Sequence, residues 1–174
     1  MRFSPTLSAL TAFSLAAFTQ VAVAAPVSLA PVALSAELQT SLDDDLGARE
    51  GEVLRRTVAD TVSAALVRHG ATVTGGAPVT VEITIVDADP NRPTMEQMSA
   101  RPGLDMGRSI SIGGAELHGA LRGADGQVIS EINHRRYTHS LIDLTGAEST
   151  WTDARRAIRQ FAEKVADAYA ERTQ

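Results

Sequence analysis

The residues with the clearest chemical spacing are Asp87, Asp89 and Asn91, whose side-chain oxygens alternate along the chain like the opening of a calcium loop. The match then fails. The sixth position is Arg92 where the loop needs glycine, and the twelfth is Met98 where it needs a bidentate glutamate. Pro90 and Pro93 stiffen the same stretch. The segment therefore reads as a turn leaving a strand, with Asx-type hydrogen bonds. Asp43, Asp44 and Asp45 form a second acidic group, but nothing near them in sequence completes an oxygen shell. They read as solvated charge. Neither group predicts a metal, and no cofactor is expected.

Four histidines could move protons. His118, beside Glu116 and opposite Asn133 on a predicted strand pair, has acid–base chemistry within reach. An envelope hydrolase built on His118 and Glu116 is one reading. No nucleophile elbow, His-Glu-x-x-His zinc motif or phosphate-cradling glycine loop accompanies them. A hydrogen-bonded histidine on an open sheet face explains His118 without catalysis, so no catalytic residue is expected and the chain is read as a non-enzyme. His134 and His139 are an odd number of positions apart and fall on opposite faces of a continuous strand. His69 stands at a predicted helix end, where a cation is mildly favoured.

The elements that would carry these residues follow from hydrophobic period. Residues 27–34 alternate loosely as a first strand, and Pro31 confines it to a sheet edge or ends it early. From Glu52 to His69, Leu54, Val58, Val62, Ala65 and Leu66 form one helical stripe, closed by Gly70. Val79 to Val86 alternates strictly and predicts a strand with one buried face. Thr94 and Gln97 have capping-box spacing for a short helix that ends before Pro102-Gly103.

Residues 109–123 and 127–137 predict a hairpin turning at Asp125-Gly126. A two-residue turn places Leu117 opposite His134, Gly119 opposite Ile132 and Leu121 opposite Ser130. On the other face it places Glu116 opposite Arg135, His118 opposite Asn133 and Arg122 opposite Ile129. Gly113-Gly114 predicts a bulge or bend. Thr150 is the expected cap of a last helix whose stripe is Trp151, Ala154, Ile158, Phe161, Val165 and Tyr169. The order is β-α-β-(loop)-β-β-α. The fold class expected is α+β, a small antiparallel or mixed sheet of three or four strands with two amphipathic helices on one face.

Residues 1–24 have the three parts of a signal peptide: Arg2, an apolar run from Leu7 to Phe18, and the small-x-small close Ala22-Val23-Ala24. Residues 25–174 then form a single domain, periplasmic or secreted after cleavage near Ala24. The apolar run is shorter than the roughly 20 residues of a membrane helix, so no membrane span is expected. The chain has no cysteine, which excludes disulfides, thiolate catalysis and zinc–thiolate sites. It also predicts that no lipid anchor is present. A net charge of −5 from 16 basic and 21 acidic residues excludes a nucleic-acid surface.

The connection from Asp87 to Arg108 exceeds the roughly 12–15 residues usual between packed elements, and such connections are often binding loops. Met95, Met98 and Met106 suit an adaptable apolar contact, while a short helix plugging the core explains them equally well. With Glu116, His118 and Arg135 on the polar sheet face, they form the candidate contact surface.

The segments VDADPNRPT and ISIGGAELHGALRGADGQVI resemble the middle of uncharacterised envelope proteins and lipoproteins of proteobacteria, over roughly residues 79–137. The shared motifs are turn and bulge residues, which report fold and carry no activity with them. The expected function is a non-catalytic accessory or protein-binding module of the envelope, in contact with another envelope protein. A binder of a small apolar or lipid-like ligand is the alternative.

Overall fold

The computed structural model describes residues 26–140 and 149–172. The proposed leader, residues 1–24, lies outside the described residues. The spine of the fold is the strand β3, Val79–Asp89. Its alternation does what the sequence requires: Val81, Ile83 and Ile85 are buried, while Glu82 between them is exposed.

Pro31 divides the first strand segment in two. β1 (Val27–Leu29) and β2 (Ala33–Leu34) both run parallel to β3, with Val27 opposite Val79 and Leu34 opposite Ile85. β4 (Gly114–Arg122) and β5 (Val128–Tyr137) complete the sheet as antiparallel neighbours, in the order β1-β3-β4-β5. The sheet is mixed, as expected, and has five strands because the proline makes two of one.

One helical segment is absent from the sequence-based expectation. Residues Ala36–Ser41 form α1, capped by the Ser35 hydroxyl, which accepts from the Leu38 amide at 3.0 Å. A π-turn, Leu42–Leu46, continues it and takes in the acidic run. Leu38, Leu42 and Leu46 are all buried, and their four-residue spacing is the signal that the polar residues between them obscured. Ser35 also donates from its hydroxyl to the Val86 carbonyl at 2.7 Å. That contact grips β3 at its bulge between Ile85 and Asp87, after which Ala88 takes the buried side.

α2 (Ala48–Arg68) starts about one turn before the predicted start at Glu52, and Gly70 closes it at φ 87°. α4 (Thr152–Ala170) lies beside it over β4 and β5. The predicted stripes of both helices are buried, and Phe161 rests directly on Gly119, where an added Cβ would sit 2.8 Å from the ring. Each large side chain so buried contributes about 1.5–3 kcal/mol. The space between helices and sheet is filled by these side chains, including Leu54, Leu66, Leu117 and Tyr169. Thr150 does not cap α4. Trp151 occupies that position with no side-chain cap, and its indole donates to Glu50 of α2 at 2.6 Å.

The hairpin register is largely as predicted from Glu116 to Gly119 and at Leu121, but the route to it differs. The turn is one residue longer: the Gly126 amide donates to the Gly123 carbonyl at 2.9 Å and the Gly123 amide to the Gln127 carbonyl at 3.0 Å. Gly126 is left-handed, at φ 77°. The extra residue pairs Arg122 with Val128 instead of Ile129, and a bulge at Ile129 restores the alignment at Leu121–Ser130. β4 begins at Gly114 instead of residue 109, and of the bulge or bend expected at Gly113-Gly114 the ladder shows no bulge at Gly114. Those glycines serve close approach. A Cβ on Gly113 would lie 2.7 Å from the Asn91 side chain, and one on Gly114 only 2.3 Å from the Arg136 carbonyl oxygen.

Candidate functional site

The connection between β3 and β4 is tied down at both ends. Asn91 is fully buried, and its backbone amide donates to the Thr150 carbonyl at 2.7 Å. Its side-chain amide donates to Asp153 Oδ2 at 2.7 Å and to the Ser111 carbonyl at 3.2 Å. Its Oδ1 accepts from the Asp153 amide at 2.8 Å, which satisfies an N-terminal donor of α4. The third residue of the calcium-like pattern is thus a clamp that joins the connection to the last helix. Arg92 adds a bond to the Gly107 carbonyl at 2.8 Å across the connection.

α3 (Met95–Ala100) has the predicted capping box, with Thr94 and Gln97 bonded reciprocally at 3.2 Å. It buries none of its residues, so it does not plug the core. It docks instead on the π-turn: Gln97 donates to Asp45 Oδ2 at 2.7 Å and Arg101 pairs with the other oxygen of the same carboxylate. Met95 is 68% exposed, Met106 41%, Ile110 40% and Ile112 42%. Met98 is half-buried. A cleft of about 430 Å3 opens in the same connection, with Arg92, Pro93, Leu104, Ile110 and Ile112 among its walls. The sequence places the methionines here; it did not show that the isoleucines before Gly113 stay outside the sheet.

The open face of the sheet brings together Glu116, His118 and Arg135. Arg135 Nε pairs with Glu116 Oε2 at 3.1 Å, and its guanidinium lies 4.7 Å from the centre of the Tyr137 ring. The Tyr137 hydroxyl donates to Asp87. Burial and that bond push the Tyr137 pKa well above its ordinary value, and burial with the neighbouring Asp87 charge pushes Asp89 up. His118 faces Thr84 on one side and Asn133 on the other. Its Nε2 is buried with no hydrogen-bond partner among the described residues, and no hydrogen bond joins it to Glu116 or Asn133 there. His134 projects to the helix side, where burial and Lys164, 3.1 Å from Nδ1, hold its pKa down. Among the described residues no group of acidic or histidine side chains has the arrangement of a metal site.

Behind the connection, the fully buried Asp153 also receives bonds from Thr138 at 2.8 Å and Arg156 at 2.7 Å. Burial raises its pKa, but the bonds from Asn91, Thr138 and Arg156 outweigh that and hold it below the ordinary carboxylate value. Among the described residues no helix is long and apolar enough to cross a membrane.

No family model and no curated protein matches the sequence. Solved structures do. A Xanthomonas campestris protein of family DUF330 is similar over 85% of this chain and 86% of its own, at 13% identity and a TM-score of 0.50. A minor lipoprotein from Acinetobacter baumannii matches 86% of this chain and 95% of its own, at 14% identity and a TM-score of 0.39. A lipoprotein from Neisseria meningitidis matches 84% of this chain and 99% of its own, at 9% identity and a TM-score of 0.40. These neighbours bear out the resemblance to uncharacterised envelope proteins and lipoproteins of proteobacteria. They also correct the expectation that no lipid anchor is present, because structural neighbours of this chain are lipoproteins. At these identities the likeness is one of fold: the chain is an α+β protein whose architecture is shared with the DUF330 protein.

Proposed function

We propose that the chain is an exported accessory module of the bacterial envelope that works by binding another protein through the connection between β3 and β4. The leader-like pattern of residues 1–24 and the lipoproteins among its structural neighbours support the envelope setting. One observation carries the binding role: among the described residues, four of the six exposed large hydrophobic side chains, Met95, Met106, Ile110 and Ile112, sit on this one connection. A segment that served only as a link would have no reason to be held by the Asn91 and Asp45 contacts while displaying apolar side chains to water. The polar open face of β4 and β5, with Glu116, His118 and Arg135, extends the contact surface.

The filled space between helices and sheet argues against an apolar ligand held there. The test is affinity purification of the full chain from its native envelope, with Met95→Asp and Met98→Asp together. The variant should keep its circular dichroism and lose a partner that the unaltered chain retains. Retention of the same partner at the same yield sinks the proposal. If the double variant unfolds, Met95→Asp alone keeps the test decisive, since that side chain is 68% exposed.

A further inference from the structure

At the C-terminal end of β5 a cleft of about 530 Å3 is lined by Arg135, Arg136, Tyr137, Thr138, His139 and Arg156. Its size falls in the roughly 300–1,000 Å3 range of small-molecule sites. Three arginines and a histidine are among its walls, and among the described residues no carboxylate lines it, in a chain whose net charge is −5. Two of these arginines already have a carboxylate partner. Glu116 pairs with Arg135, and Asp153, fully buried, accepts from one nitrogen of Arg156.

Arg136 is the exception. Its side chain makes no ion pair or hydrogen bond among the described residues, and it projects from a strand whose backbone is held tightly against Gly114. Gathering like charges around one cleft costs electrostatic energy unless an anion joins them. Arginine suits an oxyanion because its planar fork donates two parallel bonds to neighbouring oxygens.

We infer that this cleft binds a phosphate group, with Arg136 as the principal donor and Arg156 and His139 beside it. The site shares no wall residue with the cleft of the β3–β4 connection, and of the proposed contact surface it takes in Arg135 alone, so Arg136, Arg156 and His139 test it apart from the protein-binding reading. The volume admits the phosphate together with the group that it esterifies. Free phosphate esters and phospholipid headgroups share this chemistry.

The experiment uses the full chain with two probes: inorganic phosphate, followed by NMR of the His139 ring, and sedimentation with vesicles of equal parts phosphatidylcholine and phosphatidylglycerol. Pure phosphatidylcholine vesicles are the reference. Saturable shifts with phosphate identify a soluble ligand. Binding confined to the phosphatidylglycerol vesicles identifies a headgroup. In either case Arg136→Gln should weaken binding about tenfold, the loss of one charge-assisted contact, while Arg159→Gln, on the exposed face of α4, leaves it unchanged. Failure of both probes overturns the inference. So does equal weakening by Arg136→Gln and Arg159→Gln, which would mean that overall charge attracts the anion and the cleft does not.

Discussion

Asn91 and Asp153, 62 positions apart, hold each other by two reciprocal hydrogen bonds, side chain to side chain at 2.7 Å and backbone amide to side chain at 2.8 Å. The pair fastens the β3–β4 connection to the first turn of α4. It ties down a segment whose short helix buries no residue.

Asn91→Ala should therefore destabilise the protein by about 1–3 kcal/mol, since it removes one donor from a buried carboxylate and leaves an α4 amide without its acceptor. Asn91→Asp should cost more, because it sets a second carboxylate against Asp153. Urea unfolding followed by tryptophan fluorescence reads both through Trp151. A loss under about 0.5 kcal/mol for Asn91→Ala would show that water replaces the clamp.

The same pair sets a pH dependence. The folded-state pKa of Asp153 is depressed, so its contribution is present above the unfolded value of about 3.9 and is lost as pH falls through the lower folded value. Asp89 has the opposite sign: its raised pKa disfavours the folded carboxylate at neutral pH, and that penalty is relieved as pH falls through the raised value. The stability gap between the unaltered chain and Asp153→Asn should narrow below about pH 4. Asp89→Asn should raise stability slightly at neutral pH. A gap that stays constant down to about pH 2 would contradict the assignment for Asp153.

Backbone approach makes a third prediction. Gly114→Ala should cost about 1–3 kcal/mol or more, because its Cβ would meet the Arg136 carbonyl at 2.3 Å and the Tyr137 backbone at 2.7 Å, neither of which can move freely. Gly119→Ala meets the end of the Phe161 ring at 2.8 Å, where α4 has some room to adjust, and should cost less. Gly75→Ala meets nothing within 4 Å and should be neutral or mildly stabilising. Thermal unfolding of the three variants should rank them in that order.

The layers of this fold were legible because period reports burial directly. The stripes of α2 and α4 and the alternation of β3 name their buried residues, and Pro31 marks the edge. Local spacing misled where one residue changed the count. The register from Glu116 to Leu121 held only because the bulge at Ile129 cancels the longer turn. The π-turn stayed hidden because Asp43, Asp44 and Asp45 dominate its composition, although Leu38, Leu42 and Leu46 carry the helical spacing.

The candidate surface was legible only in part. The methionines and the Glu116–Arg135 pair could be placed from pattern, since both depend on neighbours close along the chain or across one hairpin. The Asn91 clamp, the Asp45 contacts and the basic cleft join residues distant in sequence, for which spacing carries no signal. The calcium-like rhythm passes through Asn91, but the bonds its side chain makes are to Asp153 and the Ser111 carbonyl.

The last prediction separates anchoring of α3 from stability of the whole. Asp45 receives Gln97 at 2.7 Å and pairs with Arg101, yet both members of that ion pair are partly exposed, at 37% and 57%. Solvent screens such a pair, so Asp45→Ala should change global stability by no more than about 1 kcal/mol. The local effect should be larger, because α3 buries no residue and has little else to hold it. Amide exchange of residues 95–100 should speed up clearly while that of α2 and α4 stays unchanged. If the connection binds its partner in this shape, Asp45→Ala should also weaken partner retention without touching any methionine. Unchanged exchange in α3 would mean that the capping box and the Asn91 clamp hold the helix alone.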